Sequence, residues 1–244
     1  MLPSDLAMKK IEARRVSLKA PKWLFCSLFG ALRLEEALGS MGYRFSKAFV
    51  SCCGAGVEVG FLLGRGLDVV GLDISRVMLG ECRKRFRECC LVLGDAEELP
   101  FRNSCFDSAL IVMGLHHLPN PYNGIEELSR VSNRFVVIID LIEPLTTRIL
   151  KRLPFLFLGK EWCGAEPNRL SVERATSTLQ SKGLCIKKAV TYFSHFPALL
   201  KPISSGKMPR ILFDLQQKIL KRFYCLVPVL CNELIVVAER ARNA

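Results

Sequence analysis

The sequence has no uninterrupted apolar run that approaches the roughly 18 residues of a membrane-spanning helix. The longest candidate, Trp23 to Leu32, is interrupted by Ser27 and Gly30. The N-terminus also lacks the basic start, apolar stretch and small-residue cleavage site of a secretory signal, and Asp5 and Glu12 argue against a transit peptide. We therefore expect a cytoplasmic protein, with peripheral attachment to a membrane as the alternative.

Cysteine is abundant, but the spacing that marks cysteine metal sites is missing. The chain has 11 cysteines and no CxxC pair. Their number is odd, and two pairs are adjacent in sequence, at 52–53 and 89–90, which disfavours both a zinc site and the disulfide framework of a secreted domain. The sequence predicts reduced, mostly buried thiols and no metal.

The composition excludes a disordered chain, because 50% of the 244 residues are hydrophobic and 24% are charged. A chain of this length favours one elaborated domain. The net charge of +12 is unevenly distributed: residues 1–47 carry +5, residues 48–147 carry −4 and residues 148–244 carry +11. Basic flanks favour an anionic partner, RNA or a membrane surface, and a solvated basic face explains them equally well.

Short apolar runs alternate with helix-length segments from Ala48 onward, which is typical of a parallel α/β sheet. The expected strands cover residues 48–52, 69–72, 91–93, 108–113 and 135–141, with helices at 57–65, 76–87 and 123–131. Two closing strands, 184–193 and 233–239, would add an antiparallel edge. The predicted fold is α/β: a Rossmann-like, doubly wound, mostly parallel seven-stranded sheet with an antiparallel last strand and helices on both faces.

A glycine-rich turn follows the first expected strand, in the stretch Ala48-Phe-Val-Ser-Cys-Cys-Gly-Ala-Gly56. Gly54 and Gly56 allow the backbone to turn tightly and to approach a ligand closely. Asp73 ends the second strand, where a carboxylate can accept hydrogen bonds from both hydroxyls of a ribose. The alternative is that Asp73 is an exposed strand-end residue that caps the next helix.

Three further motifs complete the pattern: Leu93-Gly-Asp-Ala-Glu-Glu-Leu-Pro-Phe101, the pair Phe106-Asp107, and Gly114-Leu-His-His-Leu118. Together with the glycine turn and Asp73, they resemble the class I S-adenosylmethionine-dependent methyltransferases. The likeness is greatest to the branch that includes ubiquinone and menaquinone methyltransferases. The resemblance covers about residues 45–145.

The resemblance implies S-adenosylmethionine as the cofactor and assigns contacts to it by position. Gly54, Ala55 and Gly56 would lie beside its methionine part. Asp73 would bind the ribose, with Ile74 against the adenine. Asp95 would accept a hydrogen bond from the adenine amino group, with Ala96 beside it. The end of the fourth strand would line the sulfonium side of the pocket, through Met113, Gly114 and Leu115.

Two positions depart from the family pattern. Family members usually have Asp or Glu where this chain has Val50, and Gly where it has Cys52. The lost carboxylate removes one usual anchor near the methionine end of the cofactor, which would weaken binding or suit a non-catalytic relative. The usual Lys-Pro-Gly-Gly turn before the fifth strand is also replaced, by Val131-Ser-Asn-Arg134. We expect this last change to alter a loop rather than the chemistry.

His116 and His117 are the candidate catalytic residues, because imidazole titrates near neutral pH and both follow a strand at its ligand-facing end. They would deprotonate or orient an acceptor hydroxyl, with His117 slightly preferred. The alternative is that one or both are part of the loop structure. Methyl transfer from a sulfonium mainly requires alignment and exclusion of water, so a base is optional.

The domain divides into an N-terminal helical cap (1–47), a cofactor-binding core (48–145) and a C-terminal part with acceptor-site elements and closing strands (146–244). We expect a cap helix at about 22–38 that Gly39 ends, and a basic amphipathic helix at 207–226. Residues 153–158 and Trp162 are candidates for an apolar acceptor wall. The favoured acceptor is a small or lipid-like molecule. Methylation of RNA is the first alternative hypothesis. A catalytically silent or nicotinamide-binding protein is the second.

Overall fold

The computed structural model describes residues 33–42, 45–142, 168–192 and 233–241. These residues form one seven-stranded sheet in the order β3-β2-β1-β4-β5-β7-β6. The strands are β1 Lys47–Ser51, β2 Asp68–Asp73, β3 Cys90–Leu93, β4 Phe106–Val112, β5 Ser132–Leu141, β6 Leu184–Tyr192 and β7 Glu233–Arg240. All neighbours pair in parallel except β7, which is antiparallel to both β5 and β6. The predicted sheet, including its antiparallel last strand, is confirmed.

The described helices are α1 (residues 33–41), α2 Val57–Leu63, α3 Arg76–Arg85, α4 Pro121–Val131 and α5 Val172–Ser181. Polar side chains begin three of them by accepting a backbone hydrogen bond from the first turn: Ser75 for α3, Asn120 for α4 and Ser171 for α5. Gly183, with a φ of +76°, follows α5 as the sequence predicted.

Two apolar layers enclose the sheet, one on each face. One face packs against α4 and α5, through residues such as Ile125, Leu128 and Leu179. The other packs against α1, α2 and α3, through residues such as Leu38 and Leu62. Strand β5 alternates between the two layers, because successive side chains of a strand point to opposite faces. Helices on both faces make the sheet doubly wound, as predicted.

Two local expectations are corrected. The helix predicted to stop at Gly39 continues to residue 41, and Gly42, at a φ of +63°, lies just beyond its end. Gly39 is therefore an interior helical residue. At residues 131–134, which replace the usual Lys-Pro-Gly-Gly turn, the structure has no loop, because α4 ends at Val131 and β5 begins at Ser132.

Several predictions fall outside the described residues. These are most of the 22–38 helix, the apolar stretch 153–158 with Trp162, and the basic helix 207–226. The boundaries after residues 47 and 145 stay predictions. Among the described residues, no helix is both long and apolar enough to cross a membrane.

Candidate functional site

Strand order places a crevice between β1 and β4. The chain leaves β1 toward β2 and β3, whereas it leaves β4 toward β5, so the connections diverge at this point of the sheet. Open α/β sheets bind ligands at such a point, outside the carboxyl ends of the strands. The glycine turn follows β1, residues 113–117 follow β4, and Asp73 ends the neighbouring strand β2. The topology thus brings together motifs that are separate in sequence.

The glycine turn connects β1 to α2 through left-handed backbone. Gly54 has a φ of +50° and Gly56 a φ of +85°. A side chain at Gly56 would also begin 2.3 Å from Cys82 Sγ, so this position requires glycine for both conformation and space. Cys52, where the family has glycine, keeps the left-handed conformation with a φ of +52°. Val50 is buried in the core layer under α1. It therefore offers the crevice no polar group.

Asp73 joins the glycine turn to the end of β2. One of its carboxylate oxygens accepts from the Gly54 N–H at 2.8 Å, and the other from the Ser75 N–H at 2.8 Å. The residue is 9% exposed, and burial raises the pKa of its carboxyl despite these hydrogen bonds and the nearby charge of His117. A carboxylate has about four acceptor positions, so two backbone bonds leave capacity for ligand hydroxyls. The helix cap itself is Ser75, not Asp73.

Exposed apolar side chains surround Asp73. Ile74 is 40% exposed, Val77 50% and Leu93 48%, and these are the large hydrophobic side chains that stand exposed among the described residues. Ile74 follows Asp73 directly, Val77 lies in the first turn of α3, and Leu93 is the register partner of Asp73 in β3. Apolar surface beside a carboxylate suits a flat aromatic ring attached to a hydroxylated sugar.

The segment after β3 contributes Asp95 and Ala96. Asp95 is partly exposed, and its Oδ1 accepts from the Glu97 N–H at 2.9 Å. Ala96 is buried in the core layer beside α4. The Asp95 side chain therefore remains near the mouth of the crevice, whereas the Ala96 side chain packs inward.

Residues after β4 are held by a carboxylate that the motif analysis missed. Asp140, near the end of β5, is fully buried and accepts from the Gly114 and Leu115 N–H groups at 2.9 and 2.6 Å. His116 Nδ1 lies 2.5 Å from the other Asp140 oxygen. Burial would raise the pKa of Asp140, but His116 and the backbone donors lower it below its usual value. Asp140 lies near the carboxyl end of its strand, as Asp73 does, and this position in the sequence could have indicated a site residue.

The two candidate histidines have different surroundings. His116 is buried against Asp140, so its contacts are those of a structural pair. His117 is partly exposed and lies close enough to Asp73 to interact with it electrostatically. The side chain of Leu115 is fully buried in the core, and its backbone N–H donates to Asp140. Met113 is partly exposed in a left-handed conformation, with a φ of +52°.

Three carboxylates, one of them paired with His116, lie near Cys52. Burial, followed by the carboxylates of Asp73, Asp140 and Asp95, raises the pKa of the Cys52 thiol well above its usual range. Cys52 is consequently a neutral thiol among three acids. This charge distribution favours a cationic ligand such as a sulfonium. In the described part of the chain, no group of three or more metal-ligating side chains is assembled.

A second polar cluster also escaped the motif analysis. Glu233 begins β7 opposite Leu141 and Tyr192, the last residues of β5 and β6. It is 2% exposed and lies 3.6 Å from Arg33 of α1, whose guanidinium stacks 3.8 Å from the centre of the Tyr192 ring. No local pattern signals this cluster, because the strand register alone brings its members together.

Comparison with known families finds relatives of part of this chain. Residues 50–135 match a family model described as a methyltransferase domain. This part of the chain is therefore related to the class I S-adenosylmethionine-dependent methyltransferases, and the resemblance found in the sequence is confirmed. A crystal structure of magnesium protoporphyrin IX methyltransferase from Synechocystis, with bound S-adenosylhomocysteine, shares the fold. Its TM-score is 0.58 at 17% identity, over 87% of this chain and 84% of that one.

Two particular relatives are demethylmenaquinone methyltransferases. The protein of Thermotoga maritima is 32% identical over 98 residues, which are 39% of this chain and 42% of the relative. The Staphylococcus aureus protein is 30% identical over 132 residues, 50% of this chain and 54% of the relative. The chain thus matches only about half the length of these curated relatives.

Proposed function

We propose that this protein is a methyltransferase that uses S-adenosylmethionine to methylate a small or lipid-like acceptor. The observation that carries the proposal is the surface at the carboxyl end of β2. There the Asp73 carboxylate retains acceptor capacity beside the exposed apolar side chains of Ile74, Val77 and Leu93. Ribose hydroxyls and an adenine ring are the chemical complement of these groups.

The residues present fit the rest of the cofactor as well. The tight turn at Gly54, Ala55 and Gly56 would present backbone to its methionine part, and the partly exposed Asp95 would accept a hydrogen bond from the adenine amino group. Met113 and Gly114 follow β4, with Gly114 beside Cys52, and would line the sulfonium side of the cofactor.

When bound, the cofactor supplies a methyl group already activated by its sulfonium. The protein then has to hold the two reactants in line and exclude water, which accounts for much of the rate of a reaction of this kind. His117 is placed to orient or deprotonate an acceptor hydroxyl, because it is partly exposed at the crevice. His116 supports that segment through Asp140.

A lipid-like acceptor is favoured because two relatives are demethylmenaquinone methyltransferases. This chain matches about half of the length of each. The acceptor side would be built around the ends of β5, β6 and β7. The described residues of that region are largely apolar, with the Glu233 cluster among them.

Titration calorimetry with S-adenosylmethionine and S-adenosylhomocysteine tests the cofactor assignment. We expect saturable binding to the wild type and a loss of about 10- to 100-fold in affinity for Asp73→Ala, because hydrogen bonds to a charged group are removed. Asp68→Asn is the matched control, since Asp68 is an exposed residue at the opposite end of β2. Failure of the wild type to bind at millimolar ligand would refute the proposal.

Transfer of labelled methyl groups tests the acceptor class. Methyl-labelled cofactor is offered with reduced demethylmenaquinone in detergent or with total tRNA. We expect label in the quinol fraction, because the relatives that match this chain are demethylmenaquinone methyltransferases. Salt-sensitive labelling of the tRNA instead would establish the RNA alternative, since phosphate contacts weaken with ionic strength.

A further inference from the structure

A partly buried ion pair on α4 holds the loop that contains Asp95. The loop runs over residues 94–105, between β3 and β4, and we call it the β3–β4 loop. Arg130 donates to Glu127 through both Nε and Nη2, each at 2.7 Å, so the pair is bidentate. The hydrogen bonds between them lower the pKa of Glu127 and raise the pKa of Arg130, so both side chains stay charged. A planar guanidinium held this way presents its remaining N–H groups in fixed directions.

Those remaining groups all point to the β3–β4 loop. Arg130 donates to the carbonyl oxygens of Leu99 and Phe101 at 3.0 and 2.7 Å, and to Asn103 Oδ1 at 2.9 Å. Glu127 accepts from the Leu99 N–H at 2.7 Å. Two side chains therefore satisfy backbone donors and acceptors at two positions, and a side-chain amide at a third, in a loop that has little regular structure of its own.

The first part of the same loop is fixed at the start of α4 by a separate contact. Glu97 accepts from the Asn120 N–H at 2.6 Å, at the residue that caps α4. The Glu97 N–H in turn donates to Asp95 Oδ1 at 2.9 Å. Because Asp95 is partly exposed, its orientation depends on these loop contacts rather than on core packing.

We propose that Glu127 and Arg130 are positioning residues that hold the β3–β4 loop so that Asp95 can accept a hydrogen bond from the amino group of an adenine. The inference rests on the proposed function, because it requires an adenine-containing cofactor. It assigns these two residues a role in base selectivity that a purely structural ion pair does not have. Neither residue touches the cofactor, so both act through Asp95.

Two nucleosides that differ in their hydrogen-bonding groups at purine positions 6 and 1 test the inference. S-Inosylhomocysteine has a carbonyl oxygen where S-adenosylhomocysteine has the amino group, and its neighbouring N1 carries a proton. We expect the wild type to bind the adenosyl compound at least about 10-fold more tightly, because a carboxylate repels the carbonyl oxygen. Asp95→Asn should abolish or reverse this ratio, since an amide can donate to that oxygen.

Arg130→Met and Glu127→Gln should lower the affinity for S-adenosylhomocysteine about 3- to 10-fold and leave that for S-inosylhomocysteine nearly unchanged. The ratio then falls toward one. Arg130→Lys should restore it only in part, because an ammonium cannot reach all the acceptors at once. In the Asp95→Asn background, Arg130→Met should change the ratio no further. Glu127→Gln keeps the side-chain volume and serves as the second probe if Arg130→Met does not fold.

Arg134→Met is the matched control. Arg134 forms a half-buried pair with Glu239, at 3.0 Å, near the start of β5 and away from the crevice. We expect it to reduce the melting temperature as Arg130→Met does, with the wild-type ratio intact. The inference is overturned if Arg130→Met and Glu127→Gln behave like Arg134→Met. It is overturned too if the wild type binds both compounds equally, an outcome that leaves the proposed function standing. Failure to bind either compound would refute both proposals.

Discussion

Among single residues, Cys52 and Gly114 face each other across the crevice between β1 and β4. A side chain added at Gly114 would begin 2.6 Å from Cys52 Cβ, and 3.1 Å from both Cys52 Sγ and Ile111 Cγ1. We predict that Gly114→Ala lowers the free energy of unfolding by about 1–3 kcal/mol, because neither neighbouring backbone can retreat easily.

Cys52→Gly supplies the test of that contact by removing its main partner. It also relieves a left-handed φ that costs a non-glycine residue about 1 kcal/mol. In this background Gly114→Ala should cost less than half as much as in the wild type. A double-mutant cycle from urea denaturation measures the coupling, and additive costs would contradict the predicted contact.

The two adjacent histidines should also behave differently. His116→Ala removes the partner of the buried Asp140, and we predict a loss of about 3 kcal/mol in the free energy of unfolding, because a buried carboxylate is left without its ion-pair partner. His117→Ala should cost less than about 1 kcal/mol, since His117 is partly exposed. Denaturation curves of the two variants, measured side by side, decide this. Equal losses would mean that His117 is as structural as His116.

Among helices, the packing of α2 against the end of α3 can be tested with two glycines. Both Gly60 in α2 and Gly80 in α3 are interior helical positions, where alanine is intrinsically favoured by about 1 kcal/mol. A side chain at Gly60 would begin 2.2 Å from Phe86 Cζ, whereas at Gly80 it would meet nothing within 4 Å. We predict that Gly80→Ala raises the melting temperature and Gly60→Ala lowers it. A rise for both would show that Phe86 moves aside.

For the whole molecule, Glu233 makes stability depend on pH. Burial, together with the charges of Asp140 and Glu36, raises the pKa of Glu233 to about 7, although Arg33 opposes the shift. The native carboxyl therefore holds its proton more tightly than the unfolded one. Its contribution to stability is complete below about pH 4.5 and is lost as the pH rises through about 7.

We predict that Glu233→Gln removes this loss. Between pH 5 and pH 8, the free energy of unfolding of the wild type should fall by up to about 3 kcal/mol more than that of the variant. Glu58, whose pKa burial also raises to about 7, is present in both proteins and cancels in the comparison. Glu88→Gln, at an exposed position, is the control. Parallel pH profiles for the wild type and Glu233→Gln would contradict the prediction.

The sequence by itself determined the elements and their type. Alternating apolar runs predicted all seven strands, and side-chain caps such as Ser171 marked helix starts, because periodicity and capping depend on neighbours within a few residues. Its motifs also located the glycine turn and Asp73, since a turn and a strand end are local features. The missing loop before β5 was not predicted, because no local rule states that a helix can pass directly into a strand.

Only the tertiary structure decided what these residues contact. Strand register brings Asp140 to His116 and Glu233 to Arg33, and packing sets Gly114 against Cys52. The tertiary structure also gives the two histidines different surroundings: His116 is buried against Asp140, whereas His117 is partly exposed. Such pairings join residues far apart in the chain. Their energy depends on burial and geometry that arise only when the sheet has formed, so no pattern of neighbouring residues encodes them.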